Sequence, residues 1–309
     1  MITPDPIQPG ATFAVISPSS APKSEKLERG LKYLRSKGFK VKEGSNLRGK
    51  NKYLSGHGPE QLADIHWAFE DDEIDAIICS RGGYGTPRFL DDLNYELIAQ
   101  HPKFFIGYSD ITALQCALAV ETGLVTISGV MAAVEMAAEE GIDPYTEEVF
   151  WDLIGKPMSG QVLKNPSDMP HAILSHGMGE GPLVGGCLSL FNNLMGTPYF
   201  PDVAGGIMVL EDIGENAQHL DRMLSQFKMA GFFHGEDRIS GLMLGQFIDT
   251  WENGDKDDFL LDEMVRDIIG KVDFPIVSGV AYGHGMRKMT LPLGASVKLN
   301  GNDGSLTLI

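Results

Sequence analysis

A serine in the first half of the chain stands where a hydrolase would hold a nucleophile. A short apolar run ends at Gly107, Tyr108, Ser109 and Asp110, and a helical pattern begins at once. A serine on such a strand-to-helix turn projects its hydroxyl away from the sheet, at a helix N-terminus that stabilises negative charge. The Gly-x-Ser-x-Gly pattern is incomplete because Ile111 holds its last position. A role for Ser109 as a helix N-cap therefore stays open.

A glycine-rich loop, Ser-Arg-Gly-Gly-Tyr-Gly at residues 80–85, directly follows another apolar run. Glycines at the carboxyl end of a strand let the main chain approach a ligand closely. The N–H of Gly82 or Gly83 could donate a hydrogen bond to the oxyanion of a reaction intermediate, together with the N–H of Asp110. Arg81 could pair with a substrate carboxylate or brace the loop. The phosphate-binding glycine patterns are absent, which leaves an oxyanion loop and a plain tight turn as the two interpretations.

A hydrolytic serine needs a base, and the base needs an acid that orients it. The chain has 8 histidines. His284 stands between two glycines after the apolar run 276–281, so it is predicted on a loop at a strand end. Glu211 ends the apolar run 207–210 in the same way. The two side chains could meet at one sheet edge, or each could be an ordinary surface residue.

The elements around the serine alternate between strands and helices. Apolar runs predict strands, and apolar residues at helical spacing predict helices among them. This alternation indicates a parallel sheet covered on both faces. The predicted strands span residues 13–16, 39–41, 76–79, 104–106 and 124–128. Residues 1–155 are therefore predicted to be a Rossmann-like α/β domain with a nucleophile elbow.

The pattern changes in the second half of the chain. Residues 156–182 are rich in glycine and proline and poor in apolar residues, which predicts a linker. After it, the sequence predicts a smaller α+β domain over residues 183–309. The predicted strands of that domain lie at 207–210, 242–247, 276–281, 297–299 and 306–308, and its predicted helix lies at 220–227. The last two strands flank a glycine-rich turn typical of a hairpin.

Composition narrows the function classes. A formal net charge of -17 repels phosphate backbones, so nucleic acid is not an expected partner. No stretch approaches the roughly 20 apolar residues that span a membrane, and the N-terminus lacks a signal-peptide pattern. Cys79, Cys116 and Cys187 lie among apolar neighbours and are predicted to be buried thiols, which fits a cytoplasmic location. No histidine cluster has metal-ligand spacing, so we expect neither a metal nor a cofactor.

Taken together, several ordered motifs resemble the LD-carboxypeptidase family of serine peptidases. The motifs are Ser-Arg-Gly-Gly-Tyr-Gly at 80–85, Ile-Gly-Tyr-Ser-Asp-Ile-Thr-Ala at 106–113, Leu-Glu-Asp-Ile-Gly-Glu at 210–215 and Gly-His-Gly at 283–285. The resemblance covers nearly the whole chain. It implies a catalytic triad of Ser109, Glu211 and His284. Beside this triad we expect Gly83 and Asp110 to be the oxyanion donors, and Arg81 and Tyr108 are candidates for substrate binding.

The resemblance also implies a substrate. Members of the family typically cut the bond between lysine or diaminopimelate and a terminal D-alanine in murein tetrapeptides, in the cytoplasm, during cell-wall recycling. A homodimer is expected on the same basis. One departure concerns residues 128–131, Ser-Gly-Val-Met, where relatives often have His-Gly-Pro-Met. That loop could shape the substrate pocket, so the exact substrate preference stays open.

Three alternatives remain. A related amidase could act on peptide–nucleotide antibiotics or other acyl-amines, but such relatives carry aromatic residues after the histidine, where residues 286–289 are Met-Arg-Lys-Met. A non-catalytic muropeptide-binding protein would not need all of Ser109, Glu211 and His284. A glutamine amidotransferase-like enzyme prefers a cysteine nucleophile, and no cysteine lies at the predicted elbow.

Overall fold

The computed structural model describes residues 1–250 and 260–309. Two sheets contain the named strands of those residues. The strands are β1 (Thr12–Ile16), β2 (Lys40–Glu43), β3 (Ala76–Cys79), β4 (Phe104–Gly107), β5 (Thr126–Ser128), β6 (Val162–Leu163), β7 (Ala172–Ser175), β8 (Met178–Cys187), β9 (Ile207–Ile213), β10 (Gly241–Ile248), β11 (Ile276–Gly283), β12 (Leu291–Leu293), β13 (Ser296–Asn300) and β14 (Ser305–Leu308).

The α-helices of the described residues connect these strands. They are α1 (Ser24–Ser36), α2 (Gly58–Glu70), α3 (Tyr95–Gln100), α4 (Thr112–Thr122), α5 (Pro144–Gly155), α6 (Leu188–Asn193), α7 (Ala217–Met229) and α8 (Leu261–Ile269). The buried residues Leu27, Leu31 and Leu34 of α1 recur at helical spacing, as expected for a helix that covers a sheet. None of the described helices combines the length and the apolar character of a membrane span.

The first compact unit comprises Met1–Pro157, Gly196–Phe200 and Thr290–Gly294. Its sheet has the order β12-β5-β4-β3-β1-β2, and the five strands from β5 to β2 run parallel. Strands β1, β3 and β4 are buried along their whole length, which explains why they appear in the sequence as unbroken apolar runs. The predicted α/β fold with a parallel sheet is confirmed.

The strand order of the first sheet brings the loop after β1 and the glycine-rich loop after β3 together. In a parallel sheet with the order 2-1-3-4-5, ligands bind where the order reverses, beyond the carboxyl ends of the neighbouring strands β1 and β3. The loop after β1 and the glycine-rich loop after β3 meet there, because the hydroxyls of Ser17 and Ser80 lie 2.7 Å apart. The turn after β4, which carries Ser109, follows the next strand along this sheet.

The second compact unit comprises Met158–Met195, Pro201–Met289 and Ala295–Ile309. Its sheet has the order β6-β14-β13-β8-β9-β10-β11-β7. The four strands β8, β9, β10 and β11 run parallel, and the outer strands pair antiparallel. This mixed sheet with α6, α7 and α8 agrees with the predicted α+β architecture. The carboxyl ends of β9 and β11 lie on either side of β10, so residues placed there can approach each other.

Two parts of the chain differ from the sequence prediction. Residues 156–182, predicted as a linker, contain β6, β7 and the start of β8. Strands β6 and β7 are the two edges of the second sheet, and they are only two and four residues long, so the glycines and prolines around them dominate the sequence pattern. Strand β12, from the part predicted as the C-terminal domain, pairs antiparallel with β5 in the first sheet.

Candidate active site

Ser109 occupies a strained turn between β4 and α4. It begins a short 3₁₀ helix, Ser109–Ile111, and its φ of +66° lies in the left-handed region that costs a non-glycine residue about 1–2 kcal/mol. The N-cap of α4 is Ile111, two residues after the serine. Strain of this kind is stored at functional sites, and a sharp strand-to-helix turn is the geometry of a nucleophile elbow.

The glycine-rich loop after β3 lies directly against this turn. A Cβ built on Gly82 would meet the Cβ of Ser109 at 2.9 Å, so only a glycine fits that close approach. Gly83 is exposed, and no residue of the described chain accepts a hydrogen bond from its N–H. An oxyanion donor needs such an N–H that is not already used within the protein.

The side chain of Asp110 joins the two segments. Its buried carboxylate accepts hydrogen bonds from the main-chain N–H groups of Gly85 and Thr86 at 3.2 and 3.0 Å and from the Ser19 hydroxyl at 2.6 Å. Burial raises the pKa of Asp110, and these hydrogen bonds oppose the rise. Asp110 therefore fixes the glycine-rich loop and the loop after β1 around the serine turn, a role that the sequence did not reveal.

The two predicted substrate-binding side chains make contacts within the protein. Tyr108 is buried, and its hydroxyl donates a hydrogen bond of 2.8 Å to Glu135. The Nε of Arg81 donates to the main-chain oxygen of Gly82 at 3.0 Å. This bond braces the loop, which is one of the two interpretations of Arg81, and the side chain stays half-buried.

Glu211 and His284 form a hydrogen-bonded pair in the second unit. Glu211 lies in β9, and His284 follows the last residue of β11. The Nδ1 of His284 lies 2.7 Å from Oε2 of Glu211. The Glu211 side chain is 0% exposed and that of His284 is 14% exposed. An ionised carboxylate only accepts hydrogen bonds, so Nδ1 carries the proton and Nε2 is the basic nitrogen.

Strand β10, which lies between β9 and β11, has a glycine where the side chains of Glu211 and His284 meet. Gly245 of β10 lies beside Glu211, and a Cβ on this residue would come within 3.1 Å of the Glu211 Cβ and 2.5 Å of the main-chain oxygen of Tyr282. The register of β10 also shifts between Leu244 and Gln246. The glycine and the shift together leave room for the carboxylate to cross over β10 and reach the imidazole.

Gln246 supports the loop that carries His284. Its Oε1 accepts a hydrogen bond of 2.9 Å from the N–H of Gly285, the residue after the histidine. Sequence reasoning missed this glutamine. Its position at the carboxyl end of a predicted strand that neighbours those of Glu211 and His284 was the available signal.

Gln246→Ala is expected to lower kcat about 10- to 100-fold with little change in KM, because the loop that positions His284 loses its anchor. Steady-state kinetics on a cleavable peptide tests this. Gln218→Ala, on the exposed face of α7, is the matched control. An unchanged kcat would show that the hydrogen bond does not position the histidine.

Asp212, the residue after Glu211 in β9, supports the end of that strand. Asp212 is buried. Successive residues of a strand face opposite sides of the sheet, and the carboxylate of Asp212 points toward the start of α6. Its carboxylate accepts hydrogen bonds from the N–H groups of Ser189 and Ile213 at 2.7 and 2.8 Å. Burial raises the pKa of Asp212 to about 6, and the hydrogen bonds partly oppose it. The residue supports the strand end beside Glu211.

This pKa predicts a pH dependence of stability. Between pH 3.8 and about 6 the folded protein keeps a proton on Asp212 that the unfolded chain has lost. The contribution of Asp212 to the free energy of unfolding therefore falls as the pH rises through this range, by about 3 kcal/mol in total. Urea unfolding of the wild type and of Asp212→Asn at pH 4 and pH 7 measures this contribution. When the pH rises from 4 to 7, the wild type should lose stability relative to the variant. A difference independent of pH would contradict the assignment.

The predicted residues thus fall into two groups. Ser109, Gly83 and Asp110 come together in the first unit, on the turn after β4 and the loop after β3. Glu211 and His284 come together in the second unit. The first group offers a hydroxyl on a strained turn and an N–H for an oxyanion, and the second offers an oriented base. These are the components that hydrolysis by a serine requires.

Two family models match the chain. Residues 13–129 match the LD-carboxypeptidase N-terminal domain, and residues 180–299 match the LD-carboxypeptidase C-terminal domain. The first match contains Ser109 and the glycine-rich loop, and the second contains Glu211 and His284.

Individual relatives and solved structures match this chain over almost its full length. A probable murein peptide carboxypeptidase of Bacillus subtilis is 34% identical over 96% of this chain and 91% of its own length. The crystal structure of a muramoyltetrapeptide carboxypeptidase from Oxalobacter formigenes has a TM-score of 0.82 at 28% identity, covering 96% of this chain and 98% of that one. The microcin C7 self-immunity protein MccF of Escherichia coli has a TM-score of 0.92 at 24% identity, covering 100% of this chain and 98% of MccF, and shares its fold.

Proposed function

Because the chain belongs to the LD-carboxypeptidase family, we propose that it is a serine carboxypeptidase that acts on murein tetrapeptides. The bond cut is the one between lysine or diaminopimelate and the terminal D-alanine. The observation that carries the proposal is the hydrogen bond of 2.7 Å between Nδ1 of His284 and Oε2 of the buried Glu211. This pair fixes the tautomer in which Nε2 accepts a proton, as a general base requires.

In the proposed first step, Ser109 is the nucleophile. Its Oγ attacks the scissile carbonyl carbon, and its proton passes to Nε2 of His284. Glu211 stabilises the imidazolium cation that results. The oxygen of the tetrahedral intermediate takes the negative charge, and the N–H groups of Gly83 and Asp110 donate hydrogen bonds to it. Losing one such donor typically raises the barrier by about 2.7–4 kcal/mol.

In the proposed second step, the acyl-enzyme forms and is hydrolysed. The C–N bond breaks, and D-alanine leaves with the proton that His284 held. A water molecule then attacks the ester carbonyl while its proton passes to His284. The C–Oγ bond breaks, Ser109 regains the proton, and the tripeptide is released. Arg81 and Tyr108 serve as bracing side chains in this scheme, since their polar atoms already hold the loop and the turn.

Mass spectrometry tests the reaction directly. The purified full chain is incubated with a murein tetrapeptide that ends in D-alanine, in its lysine and diaminopimelate forms. Loss of the terminal D-alanine from either form is the expected result, and the more rapidly cleaved form identifies the preferred dibasic residue. A cytoplasmic role in cell-wall recycling would be supported by the accumulation of tetrapeptides in cells that lack the gene.

Cleavage of neither form would overturn the proposed substrate. The test then moves to other acyl-amine bonds, with a serine-directed fluorophosphonate probe to report whether Ser109 is reactive. A reactive serine would indicate a related amidase. Binding of the tetrapeptide without a reactive serine would indicate the non-catalytic muropeptide-binding alternative. The proposed homodimer is tested separately, by the molar mass in solution.

A further inference from the structure

A carboxylate outside the proposed triad lies beside the residue that precedes Ser109. Glu135 begins a short 3₁₀ helix, Glu135–Ala137, after β5. Its Oε1 accepts a hydrogen bond of 2.8 Å from the hydroxyl of Tyr108, and its Oε2 accepts one of 2.9 Å from the main-chain N–H of Met131. The Glu135 carboxylate therefore joins the turn of the proposed nucleophile to the loop after β5.

The loop after β5, residues 129–134, is a firm support for this carboxylate. Three of its N–H groups donate to main-chain oxygens at the ends of β3 and β4: Gly129 to Gly107 at 3.3 Å, Ala132 to Cys79 at 3.1 Å and Ala133 to Ser80 at 2.7 Å. Helix α1 packs on the same loop, since a Cβ added to Gly30 would collide with the main-chain oxygen of Ala132. The loop is thus fixed to the edge of the sheet that carries the glycine-rich loop and Ser109.

The backbone strain at Ser109 calls for supports on both sides of the turn. A non-glycine residue keeps a left-handed φ of +66° only where its surroundings over-determine the conformation. The carboxylate of Asp110 holds the turn on its C-terminal side. On the N-terminal side lies Tyr108, which is 4% exposed and has an extended backbone. A buried phenol hydroxyl needs a hydrogen-bond partner, and the Glu135 carboxylate accepts its hydrogen bond.

We propose that Glu135 is a positioning residue for Ser109. By holding the side chain of Tyr108, it keeps the serine Oγ and the N–H of Asp110 in the orientation that attack on a carbonyl carbon requires. Glu135 itself gives and takes no proton in the proposed reaction. The proposal rests on the proposed function for the role of Ser109, but it does not depend on which acyl group the serine attacks.

Steady-state kinetics and serine labelling on the full chain test the positioning role. Glu135→Ala removes both hydrogen bonds and is expected to lower kcat for the tetrapeptide about 30-fold, with KM within about twofold of the wild type. The rate constant for labelling of Ser109 by the fluorophosphonate probe should fall by a similar factor. Glu135→Gln keeps an acceptor oxygen for Tyr108 and should restore both rates to within about threefold of the wild type. Glu140→Ala, at an exposed position after the 3₁₀ helix, is the matched control and should change neither rate.

Tyr108→Phe breaks the same contact from the other side. It removes one oxygen atom, keeps the packing of the ring and should lower kcat about tenfold. Adding it to Glu135→Ala should cause no further loss, because both changes break the same hydrogen bond. Losses that multiply in the double variant would show that the two residues act independently and would overturn the proposal. If Glu135→Ala does not fold, Tyr108→Phe and Glu135→Gln decide the question by their labelling rates.

The outcomes separate positioning from a structural role and from the proposed function. A structural role would lower the melting temperature or the fraction of protein that is labelled, while the rate constant for labelling would stay at the wild-type value. That result would overturn the proposal. Labelling of the wild type without cleavage of the tetrapeptide would overturn the proposed substrate and leave the labelling rates as the test of Glu135. A wild type that is not labelled would overturn the nucleophile and the positioning role together.

Discussion

Ser109→Ala is expected to abolish hydrolysis, with kcat reduced at least about 10⁴-fold. Alanine has no oxygen that can attack the carbonyl, and a water molecule in its place is neither positioned by the turn nor covalently linked to the enzyme. The fold should persist, since the change removes one oxygen atom from a turn that is held by the carboxylate of Asp110. Turnover of the tetrapeptide and thermal unfolding are measured on the same preparation.

Two further variants sharpen this experiment. Ser24→Ala removes a hydroxyl from the exposed start of α1 and should leave kcat unchanged. Ser109→Gly also removes the nucleophile but adopts a φ of +66° without strain, so it should be inactive and at least as stable as the wild type. Full activity in Ser109→Ala would show that another group attacks the substrate. A stable, inactive Ser109→Gly would show that the backbone strain serves function rather than folding.

Glu211→Gln is expected to lower kcat about 10⁴-fold, the size of effect that follows when a base loses its orienting carboxylate. The amide can hold the imidazole in the wrong tautomer, with the proton on Nε2, and it cannot stabilise the imidazolium that forms when Ser109 is deprotonated. KM should change much less, because Glu211 is fully buried and has no surface with which to contact a substrate.

The stability of Glu211→Gln separates a catalytic role from a structural one. Among the described residues, Oε1 of Glu211 has no hydrogen-bond partner, so the wild type already carries a buried, unsatisfied polar atom that costs about 1–3 kcal/mol. The variant replaces a buried charge by a neutral amide of the same shape, and we expect a small change in the free energy of unfolding. Urea denaturation followed by circular dichroism measures it. Loss of the folded state would indicate a carboxylate needed for the fold.

The sequence predicted the elements that hold the candidate residues, for a clear reason. Strands β3 and β4 are buried on both faces, so their apolar runs are unbroken and their ends are sharp. Residues that follow such strands, such as Ser109 and His284, could be placed at a sheet edge without knowledge of the tertiary structure. The assignment of Glu211 to His284 needed the resemblance as well, because spacing along the chain does not reveal which strands are neighbours.

Other features could not be predicted, because they depend on contacts between distant residues. Gln246 is one of several polar residues near predicted strand ends, and only the pairing of β10 with β11 makes it a support for the histidine loop. The edge strands β6 and β7 are short, and the residues around them have the glycine and proline content of a linker. The rings of Tyr53 and Tyr84 contact each other edge to face, although they belong to loops that are far apart in the sequence.

The position of β12 in the first sheet has a consequence for protein synthesis. During translation, residues 1–157 emerge first, with four helix-connected strands beside β5, but the partner of β5 is made only near the end of the chain. Until then β5 remains an open sheet edge, which can pair with other chains. A chain truncated before Leu291 would keep its serine, its glycine-rich loop and its carboxylate–histidine residues, but it would lose β12 together with β13 and β14, and so would leave open both the β5 edge of the first sheet and the β8 edge of the second. We expect such a chain to aggregate during expression, and expect late release from chaperones for the intact one.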